Sequence, residues 1–460
     1  MPDLVIRGGT LITSAGPHRE DLAIEDGLIA AIAPELPAAT DEIDARDLVI
    51  FPGLIDDHVH FNEPGRSDWE GAASGSRALA AGGGTLFFDM PLNSSPCTLG
   101  PEEFEQKRKA LERASITDFA LWGGLVPGNR EALGELAACG VVGFKAFMSD
   151  SGLPEFPRAD DVTLHEGLRE AARLGLPVSV HAESEEMTKT LARRAAAEGR
   201  TGIRDYLDSR PVLAEVEAIQ RATLLAAETG AKLHIVHVSS GRGVVAAAEA
   251  RARGVDVSIE TCPHYLFFTE DDLLQLGAIA KCAPPLRTAD VRESLWNSVL
   301  EGVVDIVASD HSPAPPEMKQ GPDFFRIWGG VAGVQSTLAV MIEEGHYRRG
   351  LPLTSIARLT ATEPARRFAV PGKGAIEVGM DADLTLVDLT ADHILKEELL
   401  FQKHRLTPYA GRTFRGVVRR TLLRGETIFV DGKIVASGGG KLIRPNFTNK
   451  APHATTGIHT

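Results

Sequence analysis

His58 and His60 stand one residue apart at the end of an apolar run, Pro52-Gly53-Leu54-Ile55-Asp56-Asp57-His58-Val59-His60. In a strand, residues i and i+2 point to the same side. The two imidazoles can therefore meet at one point, as neutral nitrogen ligands of a metal ion. A lone buried histidine is more often structural; the spaced pair favours metal. His181 closes Val178–His181 and His237 closes His234–His237, two further apolar runs that give no other reason for an imidazole. Asp310 ends the run Val303–Asp310, where a carboxylate can be a metal ligand, a general base or a helix cap. Lys145 lies in the nearly uninterrupted apolar stretch Val141–Met148. It either snorkels to the strand end or sits buried, where the neutral amine is favoured and can add carbon dioxide to become a carbamate. His264 follows a further run and is expected to line a pocket without holding metal. His311, next to Asp310, points away if the strand continues.

The elements that must carry these residues read as eight short strands, at 54–60, 85–90, 119–125, 143–148, 177–183, 232–238, 256–261 and 305–310. Amphipathic helical stretches intervene, among them Pro101–Ala114, Val162–Leu174 and Val212–Thr229. Strands alternating with helices predict an α/β fold, a (β/α)8 TIM-like barrel, whose chemistry gathers at the carboxyl ends of the strands. All six residues fall at or near such ends. Residues 53–370 are assigned to this barrel. Outside it the texture is strand and turn. Leu4–Ile12 reads as strand, glycine turn, strand. Leu22–Ile32 and Glu426–Val435 each carry an Asp-Gly hairpin signal, and Ala382–Val387 is strand-like. Residues 1–52 and 371–444 are therefore expected to form one small β-sandwich domain from both chain ends. Residues 445–460 are expected to be a tail, extended over the surface or poorly ordered.

The 460 residues carry a formal charge of -15, 43% hydrophobic and 24% charged residues. An acidic globular protein with a large core is implied, and phosphate backbones are disfavoured as partners, so no nucleic acid is expected. The four cysteines form no C-x-x-C pair, which argues against zinc ribbons, thioredoxin motifs and a disulfide framework. Met1–Arg7 shows no basic segment leading into a long apolar core, and no run is long enough to span a bilayer. A cytoplasmic protein with no membrane association is the expectation.

Taken together, the residues resemble the cyclic amidohydrolases, a family that includes dihydroorotases, hydantoinases or dihydropyrimidinases, and allantoinases. The resemblance covers nearly the whole chain. It rests on His58–Gly65, Phe88–Ser94, Gly143–Met148 and Ser309–Pro313, and on the ordered set His-x-His, Lys, His, His, Asp. These stretches are most similar to those of allantoinases. Asn62 stands where dihydroorotases carry Arg, and Asp150 where hydantoinases carry Tyr; both departures agree with a neutral hydantoin substrate bearing a ureido arm. Ala283 stands where relatives often have Ser, which removes a hydroxyl contact to substrate but not a backbone one.

The resemblance implies two divalent ions per subunit, with zinc expected and cobalt, manganese, nickel or iron as alternatives. His58, His60 and Asp310 would hold one, His181 and His237 the other, with N-carboxylated Lys145 bridging them. A metal-bridging hydroxide would open the ring of a small molecule, allantoin to allantoate in purine breakdown, with Asp310 as general acid and base. Asn93 and Ser312 are implied as substrate contacts, and a homotetramer as the assembly. The runner-up is a hydantoinase or dihydropyrimidinase. From a different class, a non-catalytic scaffold on the same barrel is the remaining alternative, and it would lack the six ligands present here.

Overall fold

Apolar runs buried on both faces pair as parallel strands, and the computed structural model, which describes residues 1–447, closes them into a barrel. Its strands in order are Leu54–Val59, Gly84–Asp89, Asp118–Leu121 with Gly123–Gly124, Phe144–Phe147, Val178–His181, Leu233–Ile235, Val257–Thr261 and Ile306–Val307. All eight expected strands are present. The third is interrupted at Trp122, whose N–H donates to Asp89 O at 3.2 Å while Gly123 N–H reaches Gly143 O at 3.0 Å. The last strand meets the first through His60 N–H and His311 O at 2.8 Å. The eighth strand is shorter than the expected 305–310, since Asp310 turns out of it with a φ of 44°.

Helices cover the outside, and local chemistry sets their ends. Pro101–Ala114 begins with Pro, carries Glu102 and Glu103 in its first turn and Arg113 in its last. Asp161–Leu174 is capped by the Asp160 carboxylate, which accepts from Thr163 N–H at 2.8 Å, and ends at left-handed Gly175. Val212–Thr229 ends the same way at Gly230.

The two chain ends build one nine-stranded sheet. Leu4–Thr13, Gly16–Glu25, Leu28–Ala33, Asp41–Asp44 and Val49–Pro52 come from the front of the chain. Leu384–Ile394, Thr413–Leu423, Glu426–Val430 and Lys433–Ile434 come from the back. The halves join where Val49–Pro52 runs antiparallel to Leu384–Val387. Both Asp-Gly signals are hairpin turns with positive φ at each residue: 52° and 79° at Asp26-Gly27, 45° and 80° at Asp431-Gly432. Leu4–Ile12 differs from expectation. It is one strand with a bulge between Ile6 and Gly9, and Gly8 at a φ of 62° absorbs the extra residue. Of the expected tail, residues 448–460 lie outside the described residues. Before them, Asn446 N–H donates to Ala369 O at 2.8 Å and Phe447 packs on the core. Among the described residues, no helix is long and apolar enough to cross a membrane.

Candidate metal centre

The barrel delivers the six residues to its carboxyl mouth. His58 and His60 leave the first strand on one side, with ring centroids 5.5 Å apart. Asp310 Oδ1 lies 3.3 Å from His58 Nε2 and 3.4 Å from His60 Nε2. Across from them, His181 Nδ1 and His237 Nε2 face each other at 3.0 Å. His58, His237 and Asp310 bring their ligand atoms within 4.8 Å of one another. Lys145, from the fourth strand, is fully buried, its Nζ without a hydrogen-bond partner and 5.1 Å from the Phe147 ring. It does not snorkel to solvent. Burial pulls its ammonium down to about 8, against the attraction of Glu260 and Asp310.

The donor set fits cations. His58 Nδ1 lies 2.9 Å from Glu260 Oε1, so it carries the ring proton, and Nε2 presents a lone pair to the Asp310 carboxylate. Burial lowers the pKa of His58, so a second proton is disfavoured. Two lone-pair groups facing each other call for a positive ion between them. The same holds opposite. His181 Nε2 is bound to Glu183 Oε2 at 2.8 Å, which leaves Nδ1 as the atom turned to His237. Burial first, then His181 and Lys145, hold His237 well below the usual imidazole range. Burial pushes the Asp310 carboxyl up, and positive charge at His58, His60 and His237 would hold it well below the usual carboxylate range; with those imidazoles neutral, a cation between them and Asp310 takes over that role. Residues His237 and Asp310 keep left-handed backbones, φ 41° and 44°. Such strain persists where surrounding structure imposes it, commonly at active sites.

A cavity of about 550 Å³ opens above the histidines. Asn93 and Ser312 both line it, with Asn93 Nδ2 3.5 Å from Ser312 Oγ. Asp150 and Ala283 line it too. Asn62 and His264 are buried and are not among the lining residues. The expectation that His264 faces the pocket therefore changes: both its ring nitrogens are enclosed without partners. His311 is buried away from the cavity, its Nδ1 accepting from Gly333 N–H at 3.1 Å, although the strand expected to turn it away stops at Val307.

Several groups at the site were not anticipated. Glu183 holds His181 and is itself held by Arg210. Its position two residues after His181, on the same strand side, was a usable signal. Lys281 lines the cavity and ties down the loop opposite. Beneath the ligands lies a second buried group, Asp57, His234 and Glu260. There burial pushes Asp56 up to about 7, and burial with Glu260 and Asp56 holds Asp57 well above the carboxylate range. Polar residues alternating with apolar ones in Val257–Thr261 were the only hint of Glu260.

A parallel barrel that collects imidazoles, a carboxylate and a buried lysine at its carboxyl mouth defines a metal-dependent barrel hydrolase, with a donor set for two ions. Residues 49–435 match the Amidohydrolase family, and the chain belongs to that family as a cyclic amidohydrolase. It is 67% identical over 459 residues to an allantoinase of Solibacter usitatus, covering all of both chains. It is 56% identical over 444 residues to an allantoinase of Rubrobacter xylanophilus, covering 96% of this chain and 98% of that one. Among solved structures, the L-hydantoinase (dihydropyrimidinase) from Arthrobacter aurescens superposes with a TM-score of 0.94 at 33% identity, covering 96% of this chain and 100% of that one. A D-hydantoinase gives 0.89 at 32% identity, with 97% and 99% covered.

Proposed function

We propose that this chain hydrolyses allantoin to allantoate, in purine breakdown. The observation that carries this reading is the 67% identity to an allantoinase along the whole chain. The cavity supports it: about 550 Å³ holds a hydantoin ring with a ureido arm, and Asn93 and Ser312 offer neutral polar contacts to both.

His58, His60 and Asp310 would hold one divalent ion and His181 and His237 the other, with Lys145 bridging as a carbamate. That carbamate forms when the neutral Lys145 amine adds carbon dioxide and loses a proton. When bound, the ions supply Lewis acidity at the ring carbonyl and a nucleophile from water near neutral pH. Zinc is the metal proposed. Asp310 accepts the proton of the attacking water and returns it to the departing ring nitrogen. The water oxygen bonds to the carbonyl carbon, the C–N electron pair moves to nitrogen, and that nitrogen takes the proton. Neutral imidazoles at His58, His181 and His237 keep their lone pairs for ligation. Asn93 and Ser312 orient the ureido arm or ring amide.

We read residues 53–370 as the catalytic barrel, residues 1–52 and 371–444 as the companion β-domain, and the working protein as a cytoplasmic homotetramer. The test is one assay on metal-loaded protein with allantoin, hydantoin, dihydrouracil and dihydroorotate. Strong preference for allantoin is expected. Preference for hydantoin or dihydrouracil overturns the substrate and leaves the chemistry. No turnover of any ring by a protein that binds no metal would favour a scaffold.

A further inference from the structure

Glu260 is fully buried on the seventh barrel strand and spends both carboxylate oxygens on histidines. Oε1 takes the Nδ1 proton of His58 at 2.9 Å and also the backbone N–H of His237 at 3.0 Å. Oε2 lies 2.9 Å from Nε2 of His234, whose Nδ1 is anchored on Ser258 Oγ at 2.8 Å. His58 and His237 belong to opposite halves of the proposed two-ion centre. One oxygen atom therefore touches a ligand from each half.

The two bonds do different work. The bond to His58 commits its proton to Nδ1 and leaves Nε2 as donor atom, with the ring plane fixed. The bond to His237 holds a backbone in a conformation that a histidine seldom adopts, φ 41°. The main chain of Glu260 grips the next residue as well, its carbonyl accepting Val238 N–H at 2.8 Å. The His237–Val238 segment is thus held from the seventh strand, His237 by the Glu260 side chain and Val238 by its main chain.

We infer that Glu260 is the positioning residue that couples the two halves of the metal centre, fixing the tautomer of His58 and the backbone of His237 through one oxygen. The inference rests on the proposed ligand set. It predicts that an acceptor at the reach of Glu260, rather than negative charge, is what the centre requires. Glutamine keeps that reach and an accepting oxygen; its amide NH2 then faces His234 Nε2, with the His234 proton moved to Nδ1 and donated to Ser258. Methionine keeps the length and accepts nothing.

The experiment strips the protein of metal, reloads it with Zn2+, and measures the affinity of each of two ions in the wild type, Glu260→Gln and Glu260→Met. Thermal melts of the metal-free proteins check folding. Glu260→Gln is expected to hold both ions within about threefold of wild type, and Glu260→Met to weaken both by roughly ten- to a hundredfold. Weakening of one ion alone in Glu260→Met overturns the coupling. Equal losses in the Gln and Met variants overturn the requirement for reach over charge. If Glu260→Met does not fold, Glu260→Asp replaces it. It keeps the charge but is one methylene short, and wild-type affinity in that variant overturns the inference. A wild type that binds no Zn2+ instead defeats the ligand reading itself.

Discussion

At the scale of single residues, Lys145 is the most exacting position. Its amine is buried, unpartnered and lowered to about 8 by burial, the state from which a carbamate forms. Lys145→Ala is expected to bind metal in less than the two-ion ratio and to lose ring-opening activity by several orders of magnitude. Small carboxylic acids such as acetate, added to that variant, should restore part of the activity by standing in for the carbamate. Full activity without them would remove the bridge from the mechanism. His264 makes a separate prediction about acid stability. Burial lowers its pKa from 6.5 to about 4 in the folded protein. The unfolded chain thus takes up a proton that the folded one refuses. Its contribution is fully present above pH 6.5 and is lost as pH falls from 6.5 towards 4, a gap worth roughly 3 kcal/mol. His264→Gln should flatten that part of the stability curve, read by urea unfolding at pH 7 and pH 5. An unchanged pH 7 to pH 5 difference would show that His264 is not the proton acceptor. Five of the proposed ligand positions stood out in the sequence because each is a polar residue at the end of an apolar run, and Lys145 because it interrupts one. Glu260 was not, since its meaning lies in a contact with His58, 202 residues away in the chain.

At the scale of elements, the alternation of apolar runs and amphipathic segments carried the barrel. The helix bounds at Pro101–Ala114 and Val212–Thr229 followed from Pro and Gly punctuation. Thr413–Leu423 escaped detection as a strand, because Arg415, Arg419 and Arg420 break its apolar pattern. Those arginines have partners: Arg415 packs 4.1 Å over the Tyr347 ring and pairs with Glu343, Arg419 pairs with Asp388, and Arg420 Nη1 donates to Thr427 Oγ1 at 2.9 Å. The loop around residues 324–330 walls the cavity and is fastened by two lysines. Lys281 Nζ donates to Phe324 O at 2.6 Å and to Phe325 O at 3.3 Å, and also to Ile327 O. Lys319 Nζ donates to Gly330 O at 2.6 Å. Burial pulls both amines down to about 7. Lys281→Met is expected to loosen this wall. Losing its three hydrogen bonds to the loop costs about 1.5 kcal/mol or more, so KM should rise at least roughly tenfold with a smaller change in kcat. A fall in kcat at unchanged KM would assign Lys281 to the reacting atoms instead.

At the scale of the whole molecule, one seam between the two domains lies where the first three barrel strands begin, at the end of the barrel opposite the mouth. Gly53 N–H donates to Asp383 O at 2.8 Å, Thr385 Oγ1 to Gly83 O at 2.5 Å, and Thr421 Oγ1 to Ala80 O at 2.7 Å. At the centre of this seam Lys373 is buried among three carboxylates, Asp383 at 2.7 Å, Asp381 at 2.8 Å and Asp118 at 2.9 Å. Asp118 opens the third barrel strand and also pairs with Arg424 of the β-domain, so the cluster ties barrel to sheet. Conservative accounting gives such a buried cluster little net advantage over apolar packing, yet removing one partner is expensive because the remaining charges stay buried. Lys373→Met is therefore expected to cost about 3–5 kcal/mol of stability. In a barrel, the amino-terminal ends of the strands serve stability and the carboxyl ends serve chemistry. The same variant should then keep its kcat at temperatures where it remains folded, and its two ions. Thermal melts beside steady-state kinetics at low temperature separate the two effects. A folded Lys373→Met protein with a large loss of kcat would mean that the domain seam sets the geometry of the mouth, and that the β-domain does more than close the bottom of the barrel.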